Sequence, residues 1–259
     1  MLFIISPAKK MVDASDAFAW RDLPQFMPQT RELLAALRAL SYDEAKALWK
    51  CSDALAQLNY DRVAAMNIEA DGPLSPAAFS YEGIQYQNMA PQVMTAEQLD
   101  YLQQRLRILS GFYGVVRPLD GVTPYRLEMQ AKLAVGDARD LYAFWGARLY
   151  DALAAGAGAS GETVIVNLAS VEYAKAVLPY AKAAAKADAG VRVVTCLFGT
   201  VKDGKLVQRS TEAKAARGTF VRWCAENAIE HTNDFPRFDV AGYAHNEALS
   251  GADTFVFTH

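Results

Sequence analysis

Short apolar runs, irregularly spaced between helical stretches, limit most strongly what this chain can fold into. Residues 2–6 predict a buried strand bounded by Pro7, and Val164–Asn167 and Val191–Phe198 predict two more. Val201–Val207 carries the Asp-Gly signature of a two-residue hairpin, and Phe235–Tyr243 and Thr254–Phe257 read as sheet that closes the chain. The spacing between these runs does not repeat, which argues against a doubly wound sheet and for a mixed α/β or α+β fold. No internal repeat or linker interrupts the sequence, so residues 1–259 are expected to form a single domain with a β core wrapped by helices.

The helices announce themselves by period and by caps. Leu33, Leu34, Leu37 and Leu40 keep helical spacing, and Ser41 with Glu44 makes a capping box for a second helix running through Ala45, Leu48, Trp49 and Leu55. Together these predict a helical hairpin over 31–58, turning at Leu40-Ser41-Tyr42. The segment 67–91 reads as loop and short sheet pieces, with 79–87 strand-like. Thr95 with Gln98 opens a helix that turns Leu99, Leu102, Leu106 and Leu109 inward. Asp140 caps one that puts Leu141, Phe144, Trp145, Leu149 and Leu153 on one face and ends in the Gly/Ala-rich 156–161. Ser170 is placed to cap a short helix, 181–189 to form a surface helix, and 211–227 to form a long amphipathic one.

Composition removes several classes of function. With 52% apolar residues the chain can bury a large core, and no apolar run approaches the ~18 residues of a membrane span. The N-terminus places its apolar stretch before Lys9 and Lys10, the reverse of a signal peptide, which predicts a cytosolic protein. Cys51, Cys196 and Cys224 are widely spaced within apolar segments and read as reduced core thiols. His231, His245 and His259 have no ligand spacing, and neither a nucleophile elbow nor a phosphate-binding glycine loop occurs. Neither a cofactor nor a stably bound metal is therefore expected.

Charge is more informative by position than in total. The chain is acidic, with 26 Lys and Arg against 29 Asp and Glu, yet two segments are basic. Residues 105–132 hold Arg105, Arg107, Arg117, Arg126 and Lys132 against Asp120 and Glu128, and 202–222 hold six bases against Asp203 and Glu212. Either the two segments meet to form one basic surface or they are ordinary scattered charge. Strand period places Arg126 and Glu128 on one face, where they form a polar surface or a simple ion pair. On the 211–227 helix Lys214 and Arg217 lie about 60° apart beside Gly218, which either opens a basic face to phosphate or lets a neighbouring helix pack. Asn167 and Ser170 follow one strand and Lys9 another; if those strands are parallel neighbours, the three converge.

Six segments in order carry a resemblance: Ile5-Ser-Pro-Ala-Lys9, Leu109-Ser-Gly-Phe-Tyr-Gly-Val-Val-Arg-Pro-Leu-Asp120, Pro124-Tyr-Arg-Leu-Glu-Met129, Asp140-Leu-Tyr-Ala-Phe-Trp-Gly146, Val166-Asn-Leu-Ala-Ser170 and Lys214-Ala-Ala-Arg-Gly218. Over essentially its whole length the chain resembles the YaaA peroxide-stress family, also known as DUF328 or UPF0246. The resemblance implies a cytosolic bacterial protein that limits damage from unincorporated iron during peroxide stress. It also implies DNA binding through a positively charged cleft, a family-specific fold, and a helix-hairpin-helix element, for which 31–58 is the candidate although Leu40-Ser41-Tyr42 lacks glycine. Where many relatives carry an acid after Asn-Leu-Ala-Ser, this chain has Val171, so no role passes to that position.

On these grounds Lys9, Lys10, Arg105, Arg107, Arg117, Arg126, Lys214, Arg217 and Arg222 are assigned to contacts with DNA, duplex or branched and without sequence preference. Ser110, Tyr113, Tyr125, Glu128, Asn167, Ser170 and Tyr173 are assigned to the polar wall of the cleft. The alternative is an enzyme that acts in the same cleft on a small phosphate-bearing ligand or on nucleic acid, with Glu128 or a tyrosine as acid or base.

Overall fold

The computed structural model describes residues 1–16, 18–156, 163–186 and 191–259. In chain order its elements are β1 (Leu2–Ile5), β2 (Lys10–Met11), α1 (Met27–Arg38), α2 (Tyr42–Trp49), α3 (Asp53–Ala65), β3 (Ser75–Pro76), α4 (Ala77–Ser80), β4 (Tyr81–Glu82), α5 (Ile84–Met89) and α6 (Ala96–Arg105). There follow β5 (Leu106–Ser110), β6 (Gly114–Val116), β7 (Gly121–Val122), α7 (Leu141–Trp145), α8 (Arg148–Ala155), β8 (Thr163–Asn167), α9 (Val171–Ala174) and α10 (Leu178–Ala185). The chain closes with β9 (Val191–Lys202), β10 (Lys205–Val207), α11 (Ser210–Glu226), β11 (Ala244–His245) and β12 (Thr254–Thr258).

The fold is mixed α/β, a central sheet with helices around it. Strand order is β11-β12-β9-β8-β1-β5-β6, with β10 paired to β9. The five strands β12, β9, β8, β1 and β5 are mutually parallel, and β11, β10 and β6 join antiparallel. This parallel centre comes nearer to an open α/β sheet than the irregular spacing suggested. Strands buried on both faces read as unbroken apolar runs, and Leu2, Phe3, Ile4 and Ile5 are all buried. The register sets Phe3 opposite Leu106 on one side and Val166 on the other.

Several local expectations hold. The capping boxes at Ser41/Glu44 and Thr95/Gln98 form, and Asp140 accepts from the Ala143 amide. Asp203 and Gly204 both take positive φ, 50° and 72°, as the predicted two-residue turn requires.

Others are corrected. The short sheet pieces of 67–91 form at Ser75–Pro76 and at Tyr81–Glu82, which pairs with Lys10–Met11, but most of the rest of the strand-like 79–87 is helical, with Tyr86 and Met89 of α5 buried three residues apart. Phe235–Tyr243 is likewise not sheet, because residues 232–237 form a 3₁₀ helix around Pro236. Phe235 and Phe238, at i and i+3, pack against Phe220 with centroids 5.0 and 5.1 Å away.

The helix opened by Thr95 stops at Arg105, so Leu106 and Leu109 are buried from a strand. Gly146, at φ 50°, splits the Asp140 helix into α7 and α8. Lys50, at φ 47°, ends α2, so 31–58 spans three helices rather than a two-helix hairpin, and Leu55 is exposed. The segment 156–161 lies mostly outside the described residues, as do the last residues of 181–189.

Candidate functional site

Sheet order locates the site. The chain leaving β1 builds β5 on one side and later returns to lay β8 on the other, so the strand order reverses between β1 and β8. Ligands of open parallel sheets bind outside the carboxyl ends of the strands at such a reversal. A cavity of about 550 Å³ lies there, lined by residues just beyond β1 (Ser6 to Lys10) and just beyond β8 (Ser170, Glu172, Tyr173). The remaining wall comes from Glu82 to Tyr86, from Tyr125 to Glu128, and from Ser210, Lys214 and Arg217 of α11.

Two serines tie the parallel strand ends together. The Ser6 hydroxyl donates to Ser170 Oγ at 3.1 Å, and the Ser170 amide donates to Ser6 Oγ at 2.8 Å. Ser170 sits at the N-cap position of α9, but no side-chain cap bond forms; its hydroxyl joins the cavity wall instead. The Tyr86 hydroxyl donates to the Ser6 carbonyl at 3.0 Å. Behind the wall, the Tyr125 hydroxyl lies 2.9 Å from that of Tyr81 and 2.6 Å from Ser110 Oγ. Burial raises Tyr81, Tyr86, Tyr125 and Tyr173 above the usual phenol range, so all four stay neutral hydrogen-bonding groups at pH 7.

Charge in the cavity is partly compensated. Glu128 Oε1 takes Lys9 Nζ at 3.0 Å and Arg126 Nη2 at 3.2 Å, and Glu82 takes Lys10 Nζ at 2.8 Å. Glu172 accepts the Gln130 amide at 3.2 Å. Burial raises its carboxyl above the ordinary range, and Glu128 nearby pushes the same way. Lys214 and Arg217 make no ion pair among the described residues, so the five cations exceed the three carboxylates of the lining. Gly218 explains how α11 comes so near: a Cβ there would stand 2.0 Å from the Gln85 carbonyl oxygen. The glycine serves helix packing rather than an open basic face.

The family model described as peroxide stress protein YaaA matches residues 1–249. The chain belongs to the YaaA family. A UPF0246 protein of Lactiplantibacillus plantarum is 48% identical over 259 residues, covering 100% of this chain and 99% of the relative. A UPF0246 protein of Lachnoclostridium phytofermentans is 47% identical over 258 residues, 99% of this chain and 96% of its own.

Of the segments that carry the YaaA resemblance, Ile5–Lys9, Pro124–Met129 and Lys214–Gly218 meet at the cavity, with Ser170 from a fourth. Lys9, Lys10, Arg126, Lys214 and Arg217 of the basic set, and Tyr125, Glu128, Ser170 and Tyr173 of the polar set, are in its lining. Arg105, Arg107, Arg117 and Arg222 are not. Arg105 pairs with Glu230 at 2.7 Å, Arg117 with Asp22 and Asp120 at 2.9 and 3.0 Å, and Arg222 with Glu226 at 2.7 Å. Arg107 donates to the carbonyls of Gln103 and Leu106. Ser110 and Tyr113 are buried away from the lining, Tyr113 beside Thr123, and Asn167 Oδ1 accepts the Ala169 amide.

Sequence reasoning missed Ser6, Glu82, Gln85 and Tyr86, which also line the cavity. Ser6 could have been found as the residue between a strand end and Pro7. Gln85 gave no signal apart from its tyrosine-rich surroundings. Among the described residues no group of three or more His, Cys, Asp or Glu is placed to hold a metal ion, and no helix is long and apolar enough to cross a membrane.

Proposed function

We propose that this chain, acting as one domain in the cytosol, serves peroxide-stress defence by binding DNA at this cavity and its rim, and so limits damage from unincorporated iron. The observation that carries the reading is the pair Lys214 and Arg217, which line the cavity without a carboxylate partner among the described residues. Exposed Lys9 and Lys10 stand beside them, Lys9 paired with the largely buried Glu128 and Lys10 with the more exposed Glu82. An exposed pair such as Lys10–Glu82 is worth little, so Lys10 is available to phosphate.

Four such cations predict a slope of log affinity against log salt near −3 to −4 on duplex DNA, since each neutralised phosphate contributes about −0.9. The Lys214→Ala/Arg217→Ala double variant is expected to bind all duplex sequences more weakly and to flatten that slope by about 2. Replacing Lys202 and Lys205 on the β9–β10 hairpin is expected to do less. Electrophoretic shift titrations at several salt concentrations, on duplex, single-stranded and branched DNA, measure this. An unchanged slope in a folded double variant removes α11 from the interface.

A second reading, an enzyme acting here on a phosphate-bearing small molecule or nucleic acid, draws on the cavity itself. Its volume of about 550 Å³ falls within the ~300–1,000 Å³ usual for small-molecule sites. Glu172, with its raised carboxyl, is suited to acid–base work. Product analysis after incubation with DNA and with nucleotides separates the two readings.

A further inference from the structure

Three side-chain nitrogens of the lining residues are buried and have no hydrogen-bond partner among the described residues: Gln85 Nε2, Arg126 Nε and Arg217 Nε. Buried donors in native proteins are almost always satisfied, and those that are not call for a ligand or an ordered water. All three are donors, the residues that carry them come from separate segments of the chain, and the cavity those residues line has two more cations than carboxylates. Their complement is a compact group with several acceptor oxygens and about two negative charges. A phosphate monoester has three terminal oxygens and a charge of about −1.5 to −2 at pH 7, whereas a phosphodiester or a carboxylate carries one charge. The double helix, whose major groove alone is about 12 Å wide, does not fit inside a cavity of about 550 Å³.

We propose that the cavity holds a terminal phosphate monoester, either the 5′-phosphate of a DNA strand end or that of a free nucleotide, between Gln85, Arg126, Arg217 and Lys214. Arg126 and Arg217 supply planar donor forks matched to phosphate oxygens, Lys214 a mobile positive charge, and Gln85 a neutral donor that recognises the oxygens rather than the charge. The inference rests on the cavity reading above and specifies its ligand.

Two arms of one calorimetric experiment test it. The first compares deoxyadenosine 5′-monophosphate with deoxyadenosine; the second compares one short duplex bearing 5′-phosphate or 5′-hydroxyl ends. The phosphorylated form is expected to bind at least tenfold more tightly in the arm that represents the true source. That preference is expected to fall to under threefold in Gln85→Leu, which removes a donor and no charge, and in the isosteric Gln85→Glu, should the first variant misfold by circular dichroism. Equal binding of both forms in both arms overturns the inference, and so does a preference that both Gln85 variants retain. Duplex binding indifferent to the end groups, with no preference for the nucleotide, overturns this inference while leaving the DNA reading standing. A nucleotide preference without any duplex binding upholds the inference and removes the DNA reading.

Discussion

Asp120 is almost wholly out of water, yet its carboxylate accepts the Arg117 amide at 2.8 Å and Arg117 Nε at 3.0 Å. Desolvation outweighs those bonds and pushes its pKa up to about 6. An unfolded aspartate titrates near 4, so between about pH 4 and 6 the folded chain keeps a proton that the unfolded chain has released. Stability therefore falls as pH rises through that window, by on the order of 3 kcal/mol from this group. Urea melts of the wild type and Asp120→Asn at pH 4 and pH 7 measure it: the variant is expected to lose that part of the pH dependence, and equal pH dependence in both proteins contradicts the assignment. The same pair shows what local charge counting misses. Arg105, Arg117 and Arg222 raise the basic totals, but Glu230, Asp22, Asp120 and Glu226 neutralise them. Glu230 and Asp22 lie too far away in sequence to enter a segment count. Lys9 and Lys214 were legible because a strand end and a helix face fix where they point.

α11 and α5 pack through Gly218, whose absent side chain leaves room for the Gln85 carbonyl. Gly218→Ala puts a methyl group 2.0 Å from that oxygen and is expected to destabilise by roughly 1–3 kcal/mol, the usual cost of overpacking, or more. A thermal melt several degrees lower, together with weaker ligand binding as Gln85 and Arg217 separate, is the expected pair of results. An unchanged melting temperature shows that the helices meet differently. Elements with a chemical start signal were legible: both capping boxes and the Asp203-Gly204 turn formed where the sequence placed them. Elements read as strand-like without such a signal were not. From 84 onward Tyr86 and Met89, and in 235–243 Phe235 and Phe238, are buried three residues apart on a helical turn, and only tertiary contacts decide between that and a strand.

Across the whole molecule, the mixed α/β class was legible and the parallel centre was not, because strand order depends on pairings between remote segments. β1 is flanked by β5 and β8, and those pairings create the reversal at which the cavity opens. The same placement bears on how the protein is made. Phe3 finds its partners only at Leu106 and Val166, and a ribosome adds about 5–20 residues per second. β1 thus waits roughly 5–20 s for its first neighbour and about 8–30 s for its second, with an edge of Leu2–Ile5 open to solvent or to a chaperone until then. A chain released after residue 156 retains β1 and β5 but lacks β8 and β9. It is expected to pellet on centrifugation where the full chain stays in the supernatant, and a soluble, cooperatively melting fragment would show that the first strand does not need its second neighbour. Slowing translation before residue 167 is then expected to lower the yield of folded protein more than slowing it after that point, because the delay falls while β1 is still open on at least one side.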